Sequence, residues 1–163
     1  MEKTEQSIRC LSLPLESAEL LVPGSVVAEV IPYLSHTPID QDTPWMLGRI
    51  PWRGLALPLV SFEVAANLSK RPAIGRRVAV FNTIGGNPAL PFYALFIQAV
   101  PRLIQLDRHN LKEVHGDTGS PLLRSLAEYA GNRIAIPELE RLERQVLSAW
   151  SQIYERQDDT AHS

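Results

Sequence analysis

The sequence predicts a mainly β protein, with two groups of short strands followed by a C-terminal helix. Thirteen prolines and nine glycines are scattered along the 163 residues, and this distribution suits many short strands and turns better than a helix bundle. After Glu138, by contrast, apolar residues recur at the three- and four-residue spacing of an amphipathic helix. Two small barrels or one folded-over sheet would both satisfy these patterns.

The first half of the chain is predicted to consist of strands joined by turns. Partial alternation in residues 8–15 and β-branched residues in 25–31 indicate strands. Pro23-Gly24 between them is a strong turn signal. A loop is expected over residues 32–43, and a helical turn over 63–67.

The second half is predicted to begin after a polar connection at residues 68–75, which also marks a boundary between two halves. Strands are expected at residues 77–84 and 91–100, with Gly85-Gly86-Asn87 as the hairpin turn between them. The second of these strands is apolar throughout and is expected to be buried on both faces. Leu103 to Leu106 are expected to continue it.

Two helices are predicted in the last third. Ser120 and Pro121 are typical of a helix N-cap and of the first helical position, and Gly131 is typical of a helix end. A short strand at residues 133–136 is expected to precede the C-terminal helix over 138–156. The apolar face of that helix comprises Leu139, Leu142, Val146, Trp150 and Ile153.

Charge and cysteine content argue against several classes of function. The formal net charge is −2, without the clustered basic face that nucleic acid requires. Cys10 is the sole cysteine, so no internal disulfide or Cys-rich metal site can form, and we expect it to be buried and inert. The histidines lack metal-ligand spacing and are expected on the surface without a metal; they are His36, His109, His115 and His162.

No targeting or membrane segment is expected. Residues 1–7 are polar and lack the apolar core of a signal peptide. The most apolar stretch, residues 89–104, is interrupted by Pro91, Gln98, Pro101 and Arg102 and is too short to span a bilayer. We therefore expect a cytoplasmic protein without membrane insertion.

Residues 44–62, PWMLGRIPWRGLALPLVSF, are predicted to form a β-turn-β unit. Gly54 can adopt a positive φ and close a tight turn, which places Arg53 at or near its tip. A rigidly held arginine suits contact with a carboxylate or an aromatic face. The same sequence is equally compatible with an arginine that only makes the turn soluble. Glu29 interrupts an apolar strand, so it either faces water or pairs with a cation.

Asp117-Thr118-Gly119-Ser120 has the letters of an aspartic-protease active-site turn. Such an enzyme needs two carboxylates that share one proton, so a single lobe would have to dimerise. We keep a dimeric aspartic protease using Asp117 as a remote alternative. Elsewhere the sequence assembles no nucleophile, base and oxyanion site, and the pattern favours a non-enzymatic protein without cofactor or small-molecule substrate.

Three segments in order resemble the CheW-like domain of bacterial chemosensory adaptors. They are the VAEVI strand at residues 27–31, PWMLGRI at 44–50, and RGLALPLV at 53–60. The family carries a V-x-E-[VI] strand, a P-x-[WF]-[LIV]-x-G-[LIV] segment and an R-G-x-[LIV]-[LIV]-P-[LIV] hairpin in this order. The resemblance covers residues 8–62 in detail and 76–143 in outline.

The resemblance implies two small SH3-like five-stranded β-barrel subdomains with short helices and a C-terminal helix. Residues 1–163 would form a single domain, with subdomain one at about 8–70, subdomain two at about 76–136, and the helix at about 138–156. The implied function is a non-enzymatic cytoplasmic adaptor that couples methyl-accepting chemoreceptors to a CheA-type histidine kinase.

Residue roles follow from the same resemblance. The positions expected to contact partners or to shape that contact are Val27, Glu29, Ile50, Arg53 and Gly54. Turn or core roles are expected for Trp45, Gly48, Pro58 and Val60.

The chain also departs from the family pattern. Ser61 stands where the family usually has an aspartate, and Gln98 replaces an aspartate in the second half. Trp52 and the Ser61-Phe62-Glu63 ending are more similar to the divergent ChpC-like adaptors of type IV pilus (twitching) clusters. A divergent module that binds other pilus-regulatory proteins without a kinase is the second alternative.

Overall fold

Two curled β-sheets and a long C-terminal helix make up the structure, which is a computed structural model. It describes residues 7–39, 43–107, 111–114 and 116–161, and side chains are described as far as Ile153. In chain order the strands are β1 Ile8–Pro14, β2 Glu19–Pro23, β3 Val27–Pro32, β4 Thr37–Pro38, β5 Met46–Trp52, β6 Leu55–Val60, β7 Arg77–Asn82, β8 Phe92–Ile97, β9 Arg102–Leu106, β10 Lys112–Val114, β11 Leu123–Tyr129 and β12 Asn132–Pro137. The helices are α1 Phe62–Ala65 and α2 Leu139–Ala161.

The strands form two sheets of six within the described residues. Sheet 1 has the order β3-β7-β8-β6-β5-β4, and sheet 2 has the order β10-β11-β12-β2-β1-β9. Each sheet contains five strands of five or more residues and one short strand at an edge, β4 or β10. The mainly β fold with two subdomains and a C-terminal helix is therefore confirmed.

The two sheets do not follow the predicted division of the chain near residues 70–76. β1 and β2 belong to sheet 2 with β9–β12, whereas β7 and β8 belong to sheet 1 with β3–β6. Each sheet contains one parallel pairing that joins distant segments of the chain, β6 with β8 in sheet 1 and β12 with β2 in sheet 2. The sheets therefore do not coincide with the predicted halves of the chain, because strand pairing exchanges segments between those halves.

Side chains on the two faces of β7 and β8 pack into two different apolar cores. Val80 and Phe96 belong to a cluster enclosed by sheet 1, whereas Phe81 and Leu95 belong to a larger cluster that joins both sheets and α2. A smaller cluster in sheet 2 contains Cys10, which is buried as expected. The prediction that β8 is buried on both faces is confirmed.

β9 does not continue β8, contrary to the prediction. The chain leaves sheet 1 after Ile97, the Gln98 amide donates to the Pro14 carbonyl at 2.8 Å, and β9 then pairs with β1 in sheet 2. Pro101 directly precedes β9. The residues before and after this passage from sheet 1 to sheet 2 are similarly apolar, so the sequence pattern did not reveal the change of sheet.

The helix predicted from Ser120 to Gly131 was also wrong, because β11 occupies this segment. Ser120 does accept a hydrogen bond from the Leu122 amide, and the Leu123 amide donates to the Ser120 carbonyl, but only one turn forms. Ala130 and Gly131, with φ of 50° and 81°, then close a two-residue hairpin between β11 and β12. Gly131 supplies the positive φ of a hairpin turn, so the same glycine was assigned to the wrong kind of turn.

The C-terminal helix confirms its predicted apolar face. All five predicted residues of that face are buried, and Ala149 joins them. No helix in the described part of the chain combines the length and apolar character needed to cross a membrane. Expectations for the N-terminal tail at 1–6, the loop residues 40–42, and His109, His115 and His162 lie outside the described residues.

Candidate partner-binding surface

The β5–β6 hairpin carries Arg53 and Gly54 at its tip. Trp52 pairs with Leu55 across the turn. The two tip residues have φ of 48° and 78°, which is typical of a two-residue hairpin turn with positive φ at both positions. The predicted β-turn-β unit is confirmed, and a Cβ added at Gly54 would meet no atom within 4 Å, so this glycine serves the turn conformation alone.

Glu29 brings β3 and the hairpin tip together. Its Oε2 atom accepts a hydrogen bond from Trp52 Nε1 at 2.8 Å and lies 3.3 Å from Arg53 Nη2. Glu29 side-chain exposure is 39%. Both alternatives for this residue are therefore met, because the carboxylate reaches solvent and also pairs with a cation. We call Glu29, Trp52 and Arg53 the hairpin-tip cluster.

The indole of Trp52 gives the hairpin-tip cluster a rigid base. Trp52 is buried, and its ring meets the edge of Phe92 at a centroid distance of 4.8 Å. The Arg53 guanidinium carbon lies 4.7 Å from the Trp52 ring centre, within the range of a cation–π contact. The Arg53 side chain nevertheless remains 69% exposed.

The chemistry of this cluster suits recognition of an anionic or planar group. A guanidinium presents several N–H donors in a fixed fork that matches a carboxylate. Arg53 is held from one side by Glu29 and from below by Trp52, so less rotamer entropy remains to be lost when a partner binds. The exposed pair itself adds little stability, because surface ion pairs contribute about 0–1 kcal/mol.

The other residues predicted for partner contact lie elsewhere. Ile50 is 4% exposed and packs inside sheet 1 with Leu57 and Val80, so it offers no surface to a partner. Val27 is half-buried against the cluster that joins both sheets. A bulge separates Val27 from Glu29 in the pairing of β3 with β7. The structure thus joins Glu29 to Arg53 and Gly54 but does not bring Val27 and Ile50 to the same exposed surface.

The residues predicted for turn or core roles are all packed. Val60 and Pro58 are buried in β6, and Trp45 is half-buried against the larger cluster. Gly48 is required by close approach, because a Cβ there would lie 2.2 Å from the Thr37 carbonyl oxygen. The absence of a side chain at Gly48 therefore allows β4 to pair closely with β5.

Asp117 lies in an exposed turn and not in a buried dyad. Its Oδ1 atom accepts a hydrogen bond from the Gly119 amide at 2.9 Å, which is an ordinary turn contact. His36 is half-buried, with its Nδ1 atom 2.8 Å from the Tyr33 hydroxyl. No group of three potential metal ligands comes together among the residues the structure describes.

The sequence did not predict the local roles of Trp52 and Ser61. Trp52 was interpreted only as a similarity to ChpC-like adaptors, although its position directly before an Arg-Gly turn was a signal that its ring could support the arginine. Ser61 caps α1 by accepting a hydrogen bond from the Val64 amide at 3.3 Å. Serine is an effective N-cap, so Ser61 can begin α1 at the position where the family usually has an aspartate.

Comparison with known families decides the relationship of this chain. The family model described as the CheW-like domain matches residues 9–146. The chain belongs to the CheW-like domain family. The family consists of non-enzymatic scaffold proteins, and the chain is accordingly a CheW-like scaffold adaptor of chemotaxis signalling.

A solved structure of the same family has the same fold. The scaffolding protein TtCheW from Thermoanaerobacter tengcongensis matches with a TM-score of 0.67 at 18% sequence identity, over 85% of this chain and 89% of that chain. No curated protein matches the chain significantly. The CheW-like resemblance and the two-subdomain fold that it implied are thus confirmed.

Proposed function

We propose that this CheW-like adaptor couples a methyl-accepting chemoreceptor to a CheA-type histidine kinase, and that the hairpin-tip cluster is one of its partner contacts. The observation that carries the proposal is the exposed Arg53 guanidinium, which Glu29 and Trp52 hold in one position. Gly54 completes the tip. Membership of the CheW-like family supplies the class of partner, and the adaptor works in the cytoplasm.

The mechanism is bridging by contact. The two curled sheets present separate surfaces, so a receptor and a kinase can be held side by side by one chain. The charge pair of Glu29 and Arg53 contributes register and specificity more than affinity, as is usual for charges at the rim of an interface. Ile50 and Val27 act from beneath by fixing the strands that carry the cluster.

Charge reversal at Arg53 tests the proposal. In a pull-down with a receptor cytoplasmic fragment and a CheA-type kinase, Arg53→Glu should reduce capture of at least one partner while the circular dichroism spectrum stays unchanged. Arg124→Glu is a matched control, because Arg124 is a similarly exposed arginine (74%) with one long ion pair, 4.0 Å to Glu138. Equal capture by wild type and Arg53→Glu would refute the role of the cluster.

The signalling pathway is a narrower proposal. Trp52 and the Ser61-Phe62-Glu63 ending are similar to adaptors of type IV pilus clusters, and we propose a twitching pathway on this similarity. The same pull-down, extended to pilus-regulatory proteins, tests the alternative of an adaptor without a kinase. Capture of pilus-regulatory proteins together with no capture of any CheA-type kinase would favour that alternative.

A further inference from the structure

Two neighbouring loops at one end of sheet 1 expose large apolar side chains. The first loop, residues 33–36, joins β3 to β4, and the second, residues 66–76, joins α1 to β7. Leu34 in the first loop is 89% exposed and Ile74 in the second is 71% exposed, which are the two highest values for large apolar side chains among the described residues. Adjacent exposed apolar residues, unlike scattered ones, are typical of a contact surface.

Backbone pairing brings the two loops side by side. β3 and β7 are antiparallel neighbours, and the Tyr33 amide extends their pairing by donating to the Arg76 carbonyl at 2.9 Å. Leu34 and Gly75 each lie one residue beyond this hydrogen bond, and Ile74 precedes Gly75 directly. The two exposed apolar residues therefore belong to the same end of sheet 1.

Both loops are anchored to the sheet. The Tyr33 ring meets the buried Phe96 ring edge-on at a centroid distance of 4.7 Å, and the Tyr33 hydroxyl lies 2.8 Å from His36 Nδ1. In the second loop a Cβ at Gly75 would lie 2.2 Å from the Ile97 carbonyl oxygen, so this backbone packs directly on β8. A partner that binds such anchored loops has little loop-ordering entropy to overcome.

The charge around these apolar residues has one sign. Residues 64–106 contain five lysines and arginines and no aspartate or glutamate. Arg71 and Arg76 are exposed and Arg77 is half-buried, and none of the three makes an ion pair with a residue that the structure describes. We call the following residues the loop-end surface: Leu34, Arg71, Ile74, Arg76 and Arg77.

The loop-end surface and the hairpin-tip cluster lie at opposite ends of sheet 1. β7 begins at Arg77 and ends at Asn82, which pairs with Phe92, and the Phe92 ring packs against Trp52 of the hairpin-tip cluster. A strand of six residues spans about 17 Å. Two partners bound at these two ends would thus be separated by the length of the strand.

We propose that the loop-end surface is a second partner contact, which receives a protein surface carrying an apolar side chain bordered by carboxylates. Leu34 and Ile74 pack against the apolar side chain, and the three arginines pair with the carboxylates. Charge complementarity selects an acidic partner, because guanidinium groups without an internal ion pair match carboxylates. The inference rests on the proposed adaptor function and adds the place and the chemistry of a second contact.

Leu34→Ser tests the apolar part of the surface. Dissociation constants are measured separately for a receptor cytoplasmic fragment and for a CheA-type kinase. We expect binding of one of these two partners to weaken by about tenfold or more, because the partner no longer buries a leucine. The matched control is Leu103→Ser on β9 of sheet 2, where the leucine is 66% exposed, and it should change either affinity by no more than about threefold. Wild-type affinity of Leu34→Ser for both partners, or an equal loss in Leu103→Ser, would overturn the proposal.

Arg76→Gln tests the acidic character of the partner. We expect the affinity for the same partner to fall as sodium chloride is raised, because salt screens exposed charges, and we expect this salt dependence to be smaller in Arg76→Gln. Arg124→Gln, at an exposed arginine on β11, should retain the salt dependence of the wild type. An equal salt dependence in Arg76→Gln and wild type would overturn the assignment of an acidic partner.

Comparison with Arg53→Glu separates this proposal from the role of the hairpin-tip cluster. Weaker binding in Leu34→Ser together with wild-type binding in Arg53→Glu supports the loop-end surface and refutes the role of the cluster. The reverse result overturns the loop-end surface alone, and failure of the wild type to bind either partner overturns both.

Other occupants of the loop-end surface are outcomes of two further measurements. Wild type and Leu34→Ser are compared by cosedimentation with vesicles of equal parts phosphatidylcholine and phosphatidylserine, and by sedimentation velocity without a partner. We expect no difference between the two proteins in either measurement. Loss of vesicle binding or of self-association in Leu34→Ser, with unchanged affinity for receptor and kinase, would assign the surface to a membrane or to a second copy and overturn the proposal.

Discussion

Glu63 joins two segments that are far apart in the sequence. Its carboxylate is buried and accepts hydrogen bonds from the Glu16 amide at 3.0 Å, the Ser17 amide at 3.0 Å and the Ser17 hydroxyl. The turn between β1 and β2 belongs to sheet 2, whereas α1 directly follows β6 of sheet 1. One side chain thus connects the two sheets.

Replacement of Glu63 by alanine should destabilise the fold. Two backbone donors and one hydroxyl lose their acceptor, and hydrogen bonds to a charged group contribute about 1.5–3 kcal/mol each before relaxation. We expect Glu63→Ala to lower the free energy of unfolding in urea by about 2–3 kcal/mol. The exposed Glu113 on β10 is the control, and Glu113→Ala should change it by less than about 0.5 kcal/mol. A loss below about 0.5 kcal/mol for Glu63→Ala would show that the turn is held by other contacts.

Tyr93 and Cys10 predict a loss of stability at alkaline pH. Burial raises the pKa of the Cys10 thiol and of the Tyr93 hydroxyl in the folded protein. In the unfolded chain these groups ionise near about pH 8.5 and pH 10. Because the unfolded state then releases protons that the folded state retains, the contribution of these two groups to stability is constant below these values and falls as the pH rises through them.

The tyrosine contribution can be separated by removing its hydroxyl. Tyr93→Phe should lessen the decline of the unfolding free energy above pH 10 by up to about 1.4 kcal/mol per pH unit. Urea denaturation at several values from pH 8 to pH 11 measures this slope. Identical slopes in wild type and Tyr93→Phe would contradict the assigned pKa shift.

Among the elements, β4 depends on a single glycine in its neighbour. Thr37 pairs with Arg49 and Pro38 with Gly48, which makes β4 a two-residue edge strand. The close approach of the Thr37 carbonyl to Gly48 leaves no room for a side chain. The sequence predicted a structural role for Gly48 from the family resemblance, but the partner strand lay in a segment predicted to be loop.

Gly48→Ala should separate β4 from β5. The added methyl would lie 2.2 Å from the Thr37 carbonyl oxygen and 2.8 Å from the His36 ring, so we expect a loss of about 1–3 kcal/mol in the free energy of unfolding. Gly24→Ala is the control, because its methyl would lie 3.9 Å from the nearest atom, the Arg9 carbonyl oxygen. That variant should be nearly neutral. Equal effects of the two substitutions would contradict the packing of β4.

Local patterns predicted most elements, and the errors have a common cause. Residue periodicity identified α2, and turn residues identified the β5–β6 hairpin. The same signals misassigned β11, because Ser120 and Gly131 are compatible with a helix and with two successive turns. The apolar residues between them, Leu123, Leu126 and Ala127, also fit a strand that pairs with β12. The pairing partner decides between the two structures, and it lies outside the local window.

For the protein as a whole, non-local pairing limited what the sequence could predict. The interleaving of β1 and β2 with β9–β12 depends on parallel contacts such as Ala135 with Leu20. No composition shift marks these contacts. In the candidate site, the resemblance predicted Glu29 and Arg53, whereas the support that the Trp52 indole gives to Arg53 became visible only in the side-chain positions. Residue type alone does not show which carboxylate is buried or paired.

The central claim is that Glu29 and Arg53 form a binding surface and add little to stability. A charge-swap series tests it most directly, with Glu29→Arg, Arg53→Glu and the double variant. Each is measured for its free energy of unfolding and for its dissociation constant with the receptor fragment and with the kinase. The double variant restores opposite charges within the pair, but it presents the reversed charge to a partner.

We expect Arg53→Glu to change the free energy of unfolding by less than about 1 kcal/mol and to weaken partner binding by about tenfold or more. The double variant should bind as weakly as Arg53→Glu, because the partner still meets a carboxylate in place of the guanidinium. Wild-type affinity in Arg53→Glu, or recovery of that affinity in the double variant, would contradict the claim that Arg53 itself contacts the partner.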